Sequence, residues 1–227
     1  MLTNPETMPM RRFLFPLLAL PLLVGSTLAQ SALPSAGGRA LEEHYFAVGL
    51  GVPMTSYPDD TRTLIENLES ATGVSRLPLE FNVGVYWPVS DAHTLLGPVL
   101  EVTSDHLSRG DESISFNLMT LAASARRYFT GVTGDGLFGR LDAGIAFAGV
   151  SHRYGGDTYS ESGNIGFGGA AGAGWAFAVS SGTSIEIGAT ALFRALPGHE
   201  TGQRQEGEDV FEQGSYVAGS FGVGVLW

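Results

Sequence analysis

The sequence contains no cysteine and no lysine, so all 12 of its basic residues are arginine. Without cysteine the chain has no disulfide framework and no thiolate metal site. The formal net charge of -11 opposes binding to phosphate backbones, and we expect no nucleic-acid partner. Beyond the N-terminal segment, no stretch approaches the roughly 20 apolar residues that a spanning helix needs. If the mature chain crosses a membrane, it must do so as a closed barrel, the other fold that pairs every backbone polar group in hydrocarbon.

The N-terminus has the pattern of an export signal. From Met10 the sequence runs through two arginines, an apolar stretch at 13–24 and small residues at 25–29. This order of basic, apolar and small residues predicts a signal peptide at residues 1–29, cleaved before Gln30. Residues 30–43 are small, polar or charged, and we expect them to form a flexible leader.

Alternation of apolar with small or polar residues dominates the rest of the chain. In "LEFNVGVYW", from Leu79 to Trp87, every second residue is large and apolar, which predicts a strand with one apolar face. The same period recurs in eight segments: 44–53, 78–88, 94–105, 113–128, 137–152, 165–179, 183–195 and 215–227. Residues 44–227 are therefore predicted to be all-β and to form one eight-stranded antiparallel up-and-down transmembrane β-barrel with its apolar face outward.

The connections alternate in length, as an up-and-down barrel requires. The mostly long, polar outer loops are predicted at 54–77, 106–112, 153–164 and 196–214, and the short inner turns at 89–93, 129–136 and 180–182. Within the first outer loop, "DDTRTLIENLES" predicts one short helix. Asp60 or Thr61 would cap this helix, and Leu64, Ile65 and Leu68 would form its apolar face.

Aromatic residues are sorted toward one end of the predicted barrel. On this topology all three tryptophans fall toward the periplasmic side, where aromatic rings favour the membrane interface. The predicted aromatic girdle comprises Trp87, Tyr128, Trp175, Phe177 and Trp227.

The last strand ends on "FGVGVLW", with alternating apolar residues and a terminal aromatic. Together with the export signal, the eight alternating strands and the short inner turns, this end resembles the small eight-stranded outer-membrane barrels. These include the OmpX and opacity-type proteins, the OmpA transmembrane domain and, more loosely, the OmpW type. The resemblance covers residues 44–227 and rests on pattern, with the C-terminal strand as its most specific part.

This resemblance implies a location in the outer membrane of a diderm bacterium, in contact with outer-membrane lipids and with no cofactor. It also implies that the barrel-assembly machinery recognises the last strand as an insertion signal. The residues of that signal would be Val217, Phe221, Val223, Val225 and Trp227.

Charged residues fall on the face of the strands that would line the barrel interior. Glu80, Glu101 and Arg194 are predicted in the upper half of the lumen. Arg140, Asp142 and Glu186 are predicted in the lower half. Charges buried there must pair, because an isolated one costs several kcal/mol. Two interpretations follow: a satisfied polar plug, or a narrow ion path in which Arg194 alternates between the two upper carboxylates.

Two further features suggest alternative functions. His106 and Ser108 share one strand face, and Asp105, Asp111 or Glu112 could orient the histidine. A lipid-modifying enzyme would need this pair, although outer-membrane deacylases carry their His-x-Ser late in the chain. A soluble lipocalin-like carrier would instead need its apolar face inside. We expect no enzyme and no metal site.

The outer loops at 54–77 and 196–214 are acidic. Acidic loops stay solvated, and they can also bridge divalent cations or dock a basic partner. The sequence therefore favours an integral outer-membrane barrel with a structural or surface-interaction role through these loops.

Overall fold

The structure, a computed structural model, describes residues 43–89, 93–130, 132–163, 165–197 and 214–227. Within these ranges the chain forms nine strands and one short helix. The elements are β1 (Tyr45–Ser56), α1 (Asp59–Ser70), β2 (Ser75–Pro88), β3 (Thr94–Arg109), β4 (Glu112–Tyr128), β5 (Gly136–Tyr154), β6 (Asp157–Ser162), β7 (Gly166–Ala178), β8 (Ser184–Leu196) and β9 (Gly214–Leu226). Within the same ranges, no helix has the length and apolar character needed to cross a membrane.

Eight of the strands close into a barrel in which every pairing is antiparallel. Each strand pairs with its neighbour in sequence, with β5 joined to β7, and the ring closes where β1 pairs with β9. The closing register runs from Ala47 opposite Leu226 to Ser56 opposite Val217. The predicted eight-stranded antiparallel up-and-down barrel is confirmed.

The two ends of the barrel differ. One end, called here the terminal end, holds the start of β1 at Tyr45 and the last residue, Trp227, whose backbone pairs with that of Phe46. The other end, called the helix end, carries α1 together with the β3–β4 and β5–β6 hairpins.

The helix α1 spans the residues that its sequence pattern predicts, but its N-terminal cap differs from the prediction. Pro58 is the N-cap, because its carbonyl accepts a hydrogen bond from the Arg62 backbone N–H at 2.8 Å. No side chain caps the helix, so the expectation that Asp60 or Thr61 would do so is wrong.

Only some of the apolar side chains of α1 are buried in the end of the barrel. Ile65 is buried and Leu68 packs against the same apolar cluster, whereas Leu64 remains 37% exposed.

Two predicted outer loops contain more strand than their sequence indicated. The loop predicted at 106–112 is a tight hairpin turn, because β3 runs to Arg109 and β4 starts at Glu112. The loop predicted at 153–164 contains β6, which pairs with the end of β5. Polar side chains at these positions interrupt the apolar alternation in the sequence. Backbone pairing nevertheless continues past the last apolar residues, so the hairpins are longer than predicted.

Two predicted segments lie outside the described residues. One is the signal peptide with nearly all of the leader, at residues 1–42, and the other is most of the last outer loop, at residues 198–213.

Gly144 and Gly219 provide a matched test of the wall. A Cβ at Gly144 would lie 2.0 Å from the Leu121 backbone carbonyl oxygen, whereas at Gly219 nothing lies within 4 Å. We expect Gly144→Ala to lower the free energy of unfolding by about 1–3 kcal/mol, since the backbone must shift. Gly219→Ala should leave it nearly unchanged. Urea unfolding of both variants in detergent measures this, and equal losses would contradict the packing described.

Candidate functional site

The lumen near the terminal end contains a buried ion pair surrounded by aromatic rings. Arg126 Nη1 donates to Glu186 Oε2 at 2.6 Å, and the Tyr128 hydroxyl donates to Glu186 Oε1 at 2.8 Å. The guanidinium of Arg126 also lies 4.9 Å from the Tyr86 ring centroid and 5.4 Å from that of Phe138. Both carboxylate oxygens of Glu186 are therefore satisfied, and the arginine gains cation–π contacts on top of the ion pair.

A second ion-pair network lies in the middle of the lumen. Arg140 Nη2 donates to Glu101 Oε1, and Arg140 Nε lies 2.7 Å from Asp142 Oδ2 without its N–H being aimed at that oxygen. All three side chains are almost completely buried. One arginine thus compensates two carboxylates that come from different strands.

Arg194 donates hydrogen bonds to two threonine hydroxyl groups. Its Nε donates to Thr120 Oγ1 at 2.8 Å and its Nη1 donates to Thr103 Oγ1 at 3.1 Å. Glu80 is buried nearby, and its Oε2 has no hydrogen-bond partner among the described residues.

A cavity of about 60 Å³ lies between Glu80, Arg140 and the terminal-end ion pair. Inward glycines of β1, β8 and β9 form part of its wall. Its size and polar lining suit a few water molecules.

All six charged residues predicted to line the lumen are placed inside it by the structure: Glu80, Glu101, Arg140, Asp142, Glu186 and Arg194. An ion pair joins the predicted upper and lower groups, because Arg140 contacts Glu101 as well as Asp142.

Arg126 belongs to the lumen network, although its sequence pattern did not single it out. In "ARRY" two adjacent arginines face opposite sides of β4, and only the two-residue period from Thr120 through Ser124 indicates which one turns inward.

The helix end of the lumen is closed by an apolar plug. Its buried members come from the β1–α1 connection, α1 and five barrel strands: Tyr57, Ile65, Leu107, Phe116, Leu118, Ala146, Ala148, Val150, Leu196 and Tyr216. A second buried cluster, which includes Tyr45, Tyr86, Leu95 and Leu226, fills the terminal end. The charged networks therefore lie between two apolar layers.

Ion pairs and hydrogen bonds tie α1 to the barrel around this plug. The Tyr57 hydroxyl donates to Asp105 Oδ2 at 2.5 Å, and Arg76 donates to both oxygens of Asp105 at 2.9 and 3.1 Å. Arg76 also reaches Glu69 of α1 at 3.2 Å. Burial, reinforced by the charge of Asp105, raises the pKa of Tyr57, so that its hydroxyl stays a donor.

The His106 and Ser108 pair is not oriented for catalysis by the acids expected to help it. His106 Nδ1 is hydrogen-bonded to Ser115 Oγ, directly opposite it on β4, at 2.8 Å. Asp105 points into the plug, and Glu112 pairs with Arg109. Among the described residues, no three His, Asp or Glu side chains form a group that could hold a metal ion.

Four of the five predicted girdle residues lie on the outer surface toward the terminal end: Trp87, Trp175, Phe177 and Trp227. Trp227 stacks on Phe46, with 6.1 Å between ring centroids. The prediction is wrong for Tyr128, which is 2% exposed because its position on β4 turns it inward to Glu186. Phe129, the next residue, is exposed.

The described residues of the predicted insertion signal also face outward. Val217, Phe221, Val223 and Trp227 are exposed, and Val225, on the same side of β9, is half-buried.

No family model matches this sequence, and no curated protein matches it. Among solved structures, the chain is similar to Neisserial surface protein A, with a TM-score of 0.48, 14% identity and coverage of 82% of this chain and 97% of that chain. Ail, the attachment invasion locus protein of Yersinia pestis, gives a TM-score of 0.47 at 12% identity, covering 82% and 100%. The N-terminal β-barrel domain of Pseudomonas aeruginosa OprF gives 0.42 at 13%, covering 83% and 100%. These likenesses assign this chain no partner and no activity.

Glu186→Gln tests the terminal-end ion pair. The substitution keeps the shape of the side chain but leaves the Arg126 charge buried without its counter-ion, so we expect a loss of about 3–5 kcal/mol in the free energy of unfolding. Glu112→Gln removes an exposed carboxylate that pairs with Arg109, and we expect a change of about 0–1 kcal/mol. Urea unfolding in detergent compares the two. Similar losses would mean that the buried pair contributes no more than a surface one.

Proposed function

We propose that this chain is an integral outer-membrane β-barrel protein with a structural and surface-interaction role at its helix end. The observation that carries the proposal is the inverted arrangement of the wall. Large apolar side chains such as Leu50, Leu141 and Phe193 face outward, while Glu101, Arg140 and Arg194 are buried inside. A water-soluble barrel that carries an apolar ligand needs the opposite arrangement, since exposed apolar surface costs free energy in water.

The lengths of the strands support a barrel that spans the membrane. The shortest strands of the closed ring, β1 with 12 residues and β7, β8 and β9 with 13 each, exceed the roughly 9–11 residues that a tilted strand needs to cross a bilayer. The outward rings of Trp87, Trp175 and Trp227 fit the interface at the terminal end. The last strand would then serve the assembly machinery as its insertion signal, and the helix end would face the exterior.

A transport role is less well supported than an interaction role. Apolar side chains fill the lumen at both ends, and Arg126, Arg140 and Arg194 between them are held by ion pairs and hydrogen bonds. On the outer face of β3, His106 is hydrogen-bonded to Ser115, which favours a protein without catalytic activity.

Gel mobility tests the membrane barrel. We expect the protein in the outer-membrane fraction, migrating as a compact species in unheated detergent and more slowly after boiling, because closed barrels resist unfolding by detergent alone. A band in the soluble fraction with no heat shift would contradict the proposal.

Planar-bilayer recording tests the closed lumen. We expect no porin-sized current from the unchanged protein. Ile65→Asp places a carboxylate within the apolar plug, and we expect it to displace α1, since an unpaired buried charge is costly. It should still give no porin-sized current, because the second buried cluster fills the terminal end. Leu64→Asp, at a partly exposed position of the same helix, serves as the control and should leave α1 in place. Porin-sized currents without any substitution would refute the closed state.

A further inference from the structure

An apolar groove lies at the helix end, between the C-terminal part of α1 and the β3–β4 hairpin. Its apolar lining comes from Leu68, Ala71, Val74, Leu107 and Ile114, and its volume is about 140 Å³. It opens away from the lipid-facing wall, because Leu107 and Ile114 lie on the inward faces of their strands. The lipid that would cover the outer wall therefore does not cover this groove.

The size of the groove limits what can occupy it. A cavity of about 150 Å³ lined by aliphatic and aromatic residues holds one benzene molecule. The groove can thus accept a single aromatic or branched aliphatic side chain, and it is too small for an acyl chain. A sugar would also bind poorly, because its hydroxyl groups would lose hydrogen bonds to water against an apolar lining.

The rim of the groove is acidic. The helix, the start of β2 and the two hairpins present the carboxylates Asp59, Glu66, Glu69, Asp111, Glu112 and Asp157 against the guanidiniums Arg62, Arg76, Arg109 and Arg153. Three of these arginines, Arg62, Arg76 and Arg109, already contact a carboxylate.

Arg76 in particular is held by both oxygens of Asp105, so Glu69 shares it and remains 49% exposed. Glu66 is 68% exposed and only 3.9 Å from Arg62, at the limit of an ion pair. Excess negative charge is therefore left on the surface around the groove, where it attracts cations.

Exposed aromatic rings stand on the opposite side of the groove. His152 lines it, Tyr159 lies directly opposite His152 in the β5–β6 register, and the Tyr154 ring lies 6.3 Å from that of His152. Both tyrosines are more than half exposed at the helix end, beyond the part of the wall that would contact lipid. Such rings bind cationic groups through their faces.

We propose that this groove binds a cationic amphipathic polypeptide segment at the cell surface. One apolar side chain of the segment occupies the groove, and its flanking lysine or arginine side chains contact the rim carboxylates and the tyrosine faces. Electrostatic complementarity then selects the partner, and the groove fixes its register. This proposal rests on the proposed function, because it needs the helix end to face the exterior.

The test uses the protein purified from the outer membrane and placed in phosphatidylcholine nanodiscs. The probe is a fluorescent peptide of sequence Gly-Lys-Ser-Lys-Phe-Lys-Ser-Lys-Gly, and binding is followed by fluorescence anisotropy, with empty nanodiscs as the blank. We expect saturable binding that weakens as salt increases. Replacing the phenylalanine by serine, or every lysine by glutamate, should weaken binding by about tenfold or more.

Two protein variants locate the site. Ala71→Trp fills the groove, and we expect a loss of affinity of about tenfold or more. Ser70→Trp adds the same ring at the neighbouring exposed position of α1, which does not line the groove, and should bind as the unchanged protein does. The double variant Glu66→Gln/Asp111→Asn should weaken binding and reduce its dependence on salt.

The heat-shifted gel band, measured on every sample, separates the two proposals. A shifted band with no peptide binding would overturn the groove proposal and leave the membrane barrel standing. No shifted band would overturn the barrel itself. Equal binding by the serine peptide, undiminished binding by Ala71→Trp, or preference for the glutamate peptide would each refute the groove as the site.

Discussion

Closure of the sheet by the pairing of β1 with β9 is the constraint on which the rest of the molecule depends. It gives the first and last strands of the ring a partner on both sides, so no sheet edge is left along this seam. Closure also fixes the direction of every side chain, because alternate residues of a strand must point into or out of the ring. One inward residue, such as Tyr45, therefore determines the orientation of all its neighbours across the register.

The narrow lumen that results makes the residues on its wall interdependent. An eight-stranded barrel is just wide enough for side chains to fill it, so long side chains on one strand require small ones opposite. A Cβ at Gly49 would lie 2.6 Å from the Asn82 amide, and one at Gly174 would lie 2.9 Å from the Phe138 ring. The glycines thus leave room for the polar and aromatic side chains, and the ion pairs around Arg126 and Arg140 compensate the charges of Glu101, Asp142 and Glu186.

The helix α1 connects the interior of the barrel with its surface. Ile65 enters the apolar plug, while Leu68, one turn further along the helix, packs against the plug and also lines the groove. Contacts of Arg76 with Asp105 and Glu69 hold the helix in this position. The segment that closes the lumen is consequently the one that presents an apolar groove with an acidic rim to a partner.

The two-residue period of the sequence was enough to predict the eight strands of the barrel wall and the inward position of Glu101, Arg140 and Glu186. The period carries this information because alternation is a local property of an extended chain. It did not determine which charges meet. Arg140 of β5 pairs with Glu101 of β3 across the intervening β4, and nothing in either segment encodes their relative height.

The sequence by itself therefore determined that this protein is an eight-stranded barrel, and it determined for most residues of the wall whether the side chain faces into or out of the barrel. Only the tertiary structure decided that Tyr128 turns inward to Glu186, that polar residues extend β5 into a hairpin with β6, and that α1 and the β3–β4 hairpin enclose a groove. Each of these depends on register between segments distant in the chain. Register is set by strand pairing across the whole closed ring, which no local pattern of residues contains.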